Sequence, residues 1–387
     1  MPPPHLAAPG WRREPYRLLF PIGAGLAVAA VLPFAFRGAG GGALGLFHSV
    51  AQVEGFLTSF VVGFLFTFLP RRTETAAPDA VEMAAALALP AAAVGSAWIG
   101  ENALAHGLWL GLMLVVLGFV APRLGRALAL RRVPAVFVWV PLALAAGAIG
   151  ALLVAGSDLA GAWWGPRLWA IGRGLLTQGF VAGLVLGMGG VLLPLLTREA
   201  PPGALDTARQ RGRVLSHALG AAAFYGSFPL EILVNQRAGI ALRALVATLV
   251  LVLAARIDRP PTVPGLHRRL AWLAAWLVPA GFWMAALLPR LRTAALHVVF
   301  VGGFAQLALA VAAHVVLSHG GRPKRLRQSP IALRWMAALL AIAFAGRILA
   351  GVDLARIPEW LAVAGAAFTG AVLCWAALVA PGLRRRG

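Results

Sequence analysis

The 387-residue sequence has one cysteine, one lysine, two tyrosines and only 13 acidic residues. Because a disulfide needs two cysteines, Cys374 alone excludes an intrachain disulfide, and no C-x-x-C-H motif for covalent haem attachment is present. The sequence also has no Walker A, H-E-x-x-H or G-x-S-x-G motif. No catalytic motif can therefore be assigned, and whether the protein is an enzyme stays open at this stage.

Charged side chains are scarce along the whole chain. They make up 12% of the residues, while 60% are hydrophobic; a soluble domain is about one quarter charged. A window of about 19 residues predicts twelve transmembrane helices joined by short connections. We therefore predict an all-α polytopic membrane protein with a single transmembrane domain over residues 1–387 and the lipid bilayer as its partner. The predicted helices are 18–36, 51–70, 81–99, 104–121, 134–155, 168–195, 213–234, 238–255, 270–288, 294–318, 331–350 and 357–380.

The formal net charge of +21 is distributed unevenly between the connections. With the N-terminus inside, most arginines fall in the inner connections, and a minority, including Arg292 and Arg347, fall in the outer ones. This asymmetry marks the cytoplasmic side, so we predict a bacterial inner-membrane protein with both termini cytoplasmic. It also explains the net charge without nucleic acid, which we do not expect as a partner. The inner arginines include Arg131, Arg132, Arg209 and Arg384.

A dipeptide recurs in the second, sixth and tenth predicted helices. Gly55-Phe56, Gly179-Phe180 and Gly303-Phe304 are separated by 124 residues in both intervals, and Pro70 matches Pro194 at the same offset. We predict three repeats of four helices, in which the small residues let helices approach closely. The predicted repeats cover about residues 15–125, 134–256 and 268–381.

Polar side chains inside the predicted helices are few. Each costs free energy in the membrane unless it is paired or ligated, so we treat them as candidate functional residues. Near the outer ends lie His48, Gln52, Glu54, His106, Arg173, Gln178, Glu231, Arg243 and His297. Near the inner ends lie His217, His314 and His319.

His48 and His297 begin two of the repeat helices at the outer side. Two imidazoles suit axial ligation of a non-covalent haem b, or a copper site, so we expect both to bind a cofactor. Arg173 falls at the register of His297 in the third repeat helix, where its guanidinium suits the haem propionates or another anion. The alternative for any interfacial histidine is a hydrogen bond to water or to a carbonyl group.

The histidines of the tenth helix cannot share one site. His297 and His319 are 22 residues apart, which is about 33 Å in a helix that rises ~1.5 Å per residue. We expect a second metal site at the inner side, formed by His217 and His319 with His314 near it. For His314 a structural role is the alternative.

Glu54 and Glu231 lie within predicted transmembrane helices, and their carboxylates allow two interpretations. They are structural partners of Arg173 or Arg243, or they handle protons. His267 lies in a predicted cytoplasmic segment, where we expect it to be solvated.

Two segments carry a family resemblance. FHSVAQVEGFLTSFVVGFLFTFLPRRT (Phe47–Thr73) resembles the second-helix signature of the NnrS family, and ALHVVFVGGFAQLALAVAAHVVLSHGGR (Ala295–Arg322) is similar to its late helix. The resemblance implies a haem- and copper-containing inner-membrane protein that acts in nitric oxide metabolism, denitrification and resistance to nitrosative stress. Its partner would be nitric oxide or a metal-nitrosyl species. The family's histidines correspond to His48, His297 and His319.

Two other functions stay open. The chain departs from the family's H-x-H-E entry, because Val50 and Ala51 occupy its last two places. A haem–copper oxidase-like nitric oxide reductase also uses twelve helices, but it needs an adjacent histidine pair, and no His-His or His-x-His occurs here. A proton- or solute-coupled transporter would use Glu54, Arg173 and Glu231, although its repeats would divide the chain in two. The oligomeric state is open.

Overall fold

A computed structural model describes residues 4–37, 42–130, 133–199 and 210–383. The inner arginines Arg131, Arg132, Arg209 and Arg384 lie outside the described residues. Within them the chain is helical and contains no strand. The α-helices are α1 (Gly10–Arg13), α2 (Tyr16–Arg37), α3 (Gly42–Val50), α4 (Thr58–Thr73), α5 (Ala80–Trp98), α6 (Asn102–Ala129), α7 (Trp139–Ala155), α8 (Gly161–Gly174), α9 (Phe180–Arg198), α10 (Gln210–Leu233), α11 (Gln236–Leu253), α12 (Leu266–Leu287), α13 (Arg292–His297), α14 (Gln306–His319), α15 (Pro323–Arg327), α16 (Ile331–Val352) and α17 (Ile357–Leu383).

Eleven helices within the described residues are long and apolar enough to cross a membrane, and this confirms the polytopic helical class. The seventh predicted span also forms a helix, α10, but it is not among the eleven. Arg211, Arg213 and His217 near its start make α10 more polar than a typical membrane helix. We name the two ends of the bundle after the predicted orientation, with His319 at the inner end and His48 at the outer end.

The Gly-Phe pairs lie in three long, continuous helical segments, which we call rods, and these rods form the interior of the bundle. The most apolar stretches of Leu44–Thr73, Ser157–Arg198 and Pro289–His319 are 89%, 72% and 67% buried, and no other membrane-length helix among the described residues exceeds 61%. The remaining helices therefore surround these three rods.

Each of the three rods contains a π-helical segment. The first, second and third π segments are Ala51–Leu57, Leu175–Gly179 and Val298–Ala305, and each includes the glycine of a Gly-Phe pair. Their starting residues are 124 and 123 positions apart. Single turns of π-helix inside α-helices occur frequently at functional sites. The organisation in three units stays a prediction, which this regularity supports.

The glycines of the π segments allow close packing against surrounding helices. A Cβ atom on Gly55 would lie 2.9 Å from a methyl group of Val94 in α5, and one on Gly303 would lie 2.7 Å from Val278 in α12. Both distances are too short for carbon atoms, so each site requires glycine for this approach. These two glycines therefore fix the spacing of an interior rod and a surrounding helix.

The first and last membrane helices close the bundle. α2 packs against α17, and a Cβ atom on Gly365 of α17 would lie 3.0 Å from the carbonyl oxygen of Val31 in α2. At the inner end, Arg17 donates a hydrogen bond to the carbonyl of Leu383 at 3.5 Å. Both ends of the described chain therefore lie at the inner end of the bundle.

Candidate functional site

A cavity of about 790 Å³ opens between the three π segments at the outer end. Its volume is in the range of small-molecule and cofactor sites. Each π segment contributes to the wall, for example through Val53, Gln178 and Val301. The charged and imidazole side chains of the wall are His48, Arg173, Glu231, Arg292, His297 and Arg347. The outer-end residues His48, Arg173 and His297, singled out from the sequence, therefore line one cavity.

His48 is fixed by the backbone of α2. Its Nδ1 atom lies 3.1 Å from the carbonyl oxygen of Ala30, and the ring makes an edge-on contact with Phe34 at 5.3 Å between centroids. Because a carbonyl only accepts, Nδ1 carries the proton and Nε2 is left as an acceptor or a metal ligand. Metal-binding histidines are oriented in the same way, by a hydrogen bond from the other ring nitrogen.

His297 is oriented by the same kind of contact. Its Nδ1 atom donates to the carbonyl oxygen of Thr293 at 2.8 Å. One guanidinium nitrogen of Arg347 in α16 lies 3.1 Å from Nε2 and 3.2 Å from Nδ1 of His297, and because Nδ1 already donates to Thr293, Nε2 is the acceptor. His297 is therefore a neutral imidazole whose potential ligand atom is covered by Arg347.

Arg173 lies in the cavity wall at the end of α8. Its guanidinium lies over the ring of Trp169, 5.0 Å from the ring centroid. No carboxylate among the described residues lies within ion-pair distance of Arg173 or Arg347. The aromatic ring attracts the cation, but it does not neutralise the charge.

A network of charged and polar side chains connects the cavity wall to the buried Arg243. Arg243 of α11 is fully buried and donates to Gln178 and to Glu231, both at 2.7 Å. The second carboxylate oxygen of Glu231 accepts from Arg292 at 2.6 Å. Arg243 also donates to the hydroxyl of Ser227 at 3.2 Å. The expected pairing of Glu231 with Arg243 is confirmed, and Gln178 is its further partner.

Glu54 has a different partner from the arginines that the sequence suggested. One of its carboxylate oxygens lies 2.8 Å from Nδ1 of His106 in α6, and both side chains are buried. Neither residue lies in the wall of the outer cavity. The expected pairing of Glu54 with Arg173 or Arg243 is therefore wrong, and its role in handling protons stays a prediction.

The inner-end histidines have separate partners. His217 accepts from Trp139 at 3.3 Å, and His319 accepts from Arg71 at 2.9 Å. The described residues contain no group of three or more His, Cys, Asp or Glu side chains placed to hold one metal ion. The structure therefore does not bring His217 and His319 to a common partner.

His314 pairs with another histidine at the inner end. Its Nδ1 atom lies 3.3 Å from Nε2 of His267, and the two rings stack. The expectation that His267 is solvated is wrong, because its side chain is 1% exposed. α12 begins at Leu266, four residues before the predicted span, so His267 enters the helix and the bundle.

Two further arginines belong to the cavity wall. The charge pattern places Arg292 and Arg347 in outer connections, but they lie in α13 and α16 and line the cavity. Arg347 could have been found, since it lies inside the predicted span 331–350.

The model of the NnrS protein family matches residues 10–386, which is nearly the whole chain. Among curated proteins, none matches the chain.

Proposed function

Because the chain belongs to the NnrS family, we propose that it binds haem b in the outer cavity and acts in nitric oxide metabolism or resistance to nitrosative stress. It is a multi-pass membrane protein, and we place it in the bacterial inner membrane with both termini cytoplasmic. Nitric oxide or a metal-nitrosyl species is then the small molecule that it meets.

The observation that carries this proposal is the pair of imidazoles in one cavity wall. His48 and His297 are each fixed through Nδ1 by a backbone carbonyl group. In both rings Nε2 is therefore the nitrogen that can bind iron, as histidine does in b-type haem sites. The absence of a C-x-x-C-H motif requires that the haem is held without a covalent bond.

The rest of the wall also fits a haem. Phe34, Phe300 and Phe368 offer apolar surface for the macrocycle, and Arg173 offers a cation for a carboxylate of the haem. Arg347 must move away from Nε2 of His297 before that nitrogen can bind a metal. When bound, the haem supplies a redox-active iron, while the protein holds and orients it.

The inner-end residues do not fit a shared copper site. His217, His314 and His319 contact Trp139, His267 and Arg71, respectively, and copper sites of proteins use ligands that converge on one point. Copper binding stays a prediction, and we assign no reaction step to it.

The optical spectrum of the purified protein tests haem binding. We expect a Soret band in the wild-type protein, and its loss in His48→Ala and His297→Ala. His217→Ala is the matched control, because it removes an imidazole at the inner end and leaves the outer cavity intact. A folded, colourless wild-type protein would contradict the proposal and favour the transporter.

A growth assay tests the link to nitric oxide. Cells that lack the protein should grow more slowly than wild-type cells in the presence of a nitric oxide donor. Wild-type protein should restore growth, and the His48→Ala variant should not. Equal growth of all strains under the donor would contradict the role in nitrosative stress but not the binding of haem.

A further inference from the structure

The wall of the outer cavity has more positive than negative charge. Arg173, Arg292 and Arg347 all line it, and Glu231 is the only carboxylate of the wall among the described residues. Both oxygens of Glu231 are already used, one by Arg292 and one by the buried Arg243. Among the described residues Glu231 therefore pairs with Arg243 and Arg292, and Arg173 and Arg347 have no carboxylate partner.

Arg173 and Arg347 carry the excess charge. Arg347 donates to the neutral ring of His297, and Arg173 lies over the ring of Trp169. Arg173 and Arg292 line the same cavity, and of these two cations only Arg292 pairs with Glu231. A cation inside the membrane region costs free energy unless an opposite charge compensates it. The ring of Trp169 compensates only part of this cost.

The chemistry of these side chains selects the class of ligand. A guanidinium has five N–H donors in a planar fork, and Arg173 donates none of them to a carboxylate among the described residues. Such a fork matches the two oxygens of a carboxylate or of a small oxyanion. A neutral ligand would leave the charge of Arg173 uncompensated.

We infer that the outer cavity contains an anion subsite, in which Arg173 and Arg292 bind an anionic oxygen group such as a carboxylate or a small inorganic oxyanion. The subsite does not depend on haem. A free anion and a carboxylate carried by a tetrapyrrole are two sources of the same chemistry.

Thermal unfolding of the haem-free protein in a neutral detergent tests the subsite. Sodium acetate and sodium nitrite should raise Tm in a saturable way, at constant ionic strength set by a bulky anion, because a ligand that binds only the folded state stabilises it. Acetamide, which has a similar size and no charge, should not. Arg173→Gln should weaken anion binding about tenfold or more, and Arg173→Lys should have a smaller effect.

The chain offers a matched control for this variant. Arg290 is an exposed arginine near the start of α13 that does not line the cavity, so Arg290→Gln should bind the anions as the wild type does. Arg173 has no carboxylate partner to lose and its uncompensated charge costs free energy, so Arg173→Gln should not lower the Tm of the anion-free protein.

A second titration identifies the source of the anion. If a cofactor supplies it, Arg173→Gln should weaken the binding of haem b about tenfold, acetate should compete with haem b, and haem dimethyl ester should be insensitive to both. If a free anion occupies the subsite, acetate and haem b should bind together. The inference is overturned if neither acetate, nitrite nor haem b responds to Arg173→Gln. Failure of haem binding alone contradicts the proposed function and leaves the anion titration as an independent result.

Discussion

Arg243 shows how a single residue holds the wall of the cavity. It is fully buried, and its guanidinium contacts Gln178 of the second π segment and Glu231 of α10. The ring of Phe228 lies 3.6 Å from the guanidinium carbon. Because both polar partners also line the cavity, Arg243 acts as a positioning residue for the wall without lining it.

Replacing Arg243 should destabilise the protein strongly. Arg243→Ala leaves Glu231 with only the half-exposed Arg292, and breaking a buried pair by removal of one partner costs about 3–5 kcal/mol. Arg237→Ala, which removes an exposed arginine of the same helix, should change the free energy of unfolding by less than about 0.5 kcal/mol. Unfolding in detergent measures both, and equal stabilities would contradict the structural role of Arg243.

For single residues, the sequence predicts which polar side chains lie inside the bundle better than it predicts which side chains they contact. Glu231 and Arg243 lie twelve positions apart on successive helices, so their pairing could be expected. Gln178 is 65 residues from Arg243, and only the packed arrangement of helices shows that they meet. His106 is one of the few polar residues of its helix, but nothing in the sequence indicates that Glu54 contacts it rather than an arginine.

At the scale of elements, the spacing between helices depends on the glycines of the π segments. Gly55→Ala and Gly303→Ala should each destabilise the protein by about 1–3 kcal/mol, since a new methyl group would overlap Val94 or Val278. The control is Gly95→Ala in α5, where a Cβ atom would meet nothing within 4 Å. There alanine should be neutral or stabilise the helix by up to about 1 kcal/mol. Unfolding in detergent compares them, and a loss at Gly95 equal to that at Gly55 would refute close packing as the cause.

The sequence predicts the helices but not the π segments within them. Hydropathy reveals an apolar stretch and its length, and so it located the membrane helices. The change from α to π hydrogen bonding has no signature in hydropathy, which reports only how apolar a stretch is. Directly after the first π segment, the hydroxyl of Thr58 donates to the carbonyl of Val53, five residues earlier, at 2.8 Å. The regular Gly-Phe spacing indicates where the π segments lie, but the backbone geometry of these segments depends on packing.

At the scale of the whole molecule, the asymmetric distribution of arginine predicts the orientation in the membrane. A fluorescent protein fused after the C-terminus should be fluorescent in the cytoplasm, and alkaline phosphatase fused there should be inactive. Phosphatase fused after Asn235, in the short connection between α10 and α11 at the outer end, should be active, because the periplasm allows its disulfides to form. The opposite pattern would invert the orientation and place the cavity on the cytoplasmic side.

The packing of α2 against α17 has a consequence for the order of events during synthesis. A chain enters the membrane from its N-terminus, and its early parts organise first. The surface of α2 that α17 will cover must therefore remain in contact with lipid or with other proteins until the last helix is made. Gly365 and Phe368 of α17 also line the outer cavity. The cavity is thus complete only after α17 has been translated, and the loading of any occupant must follow the synthesis of this helix.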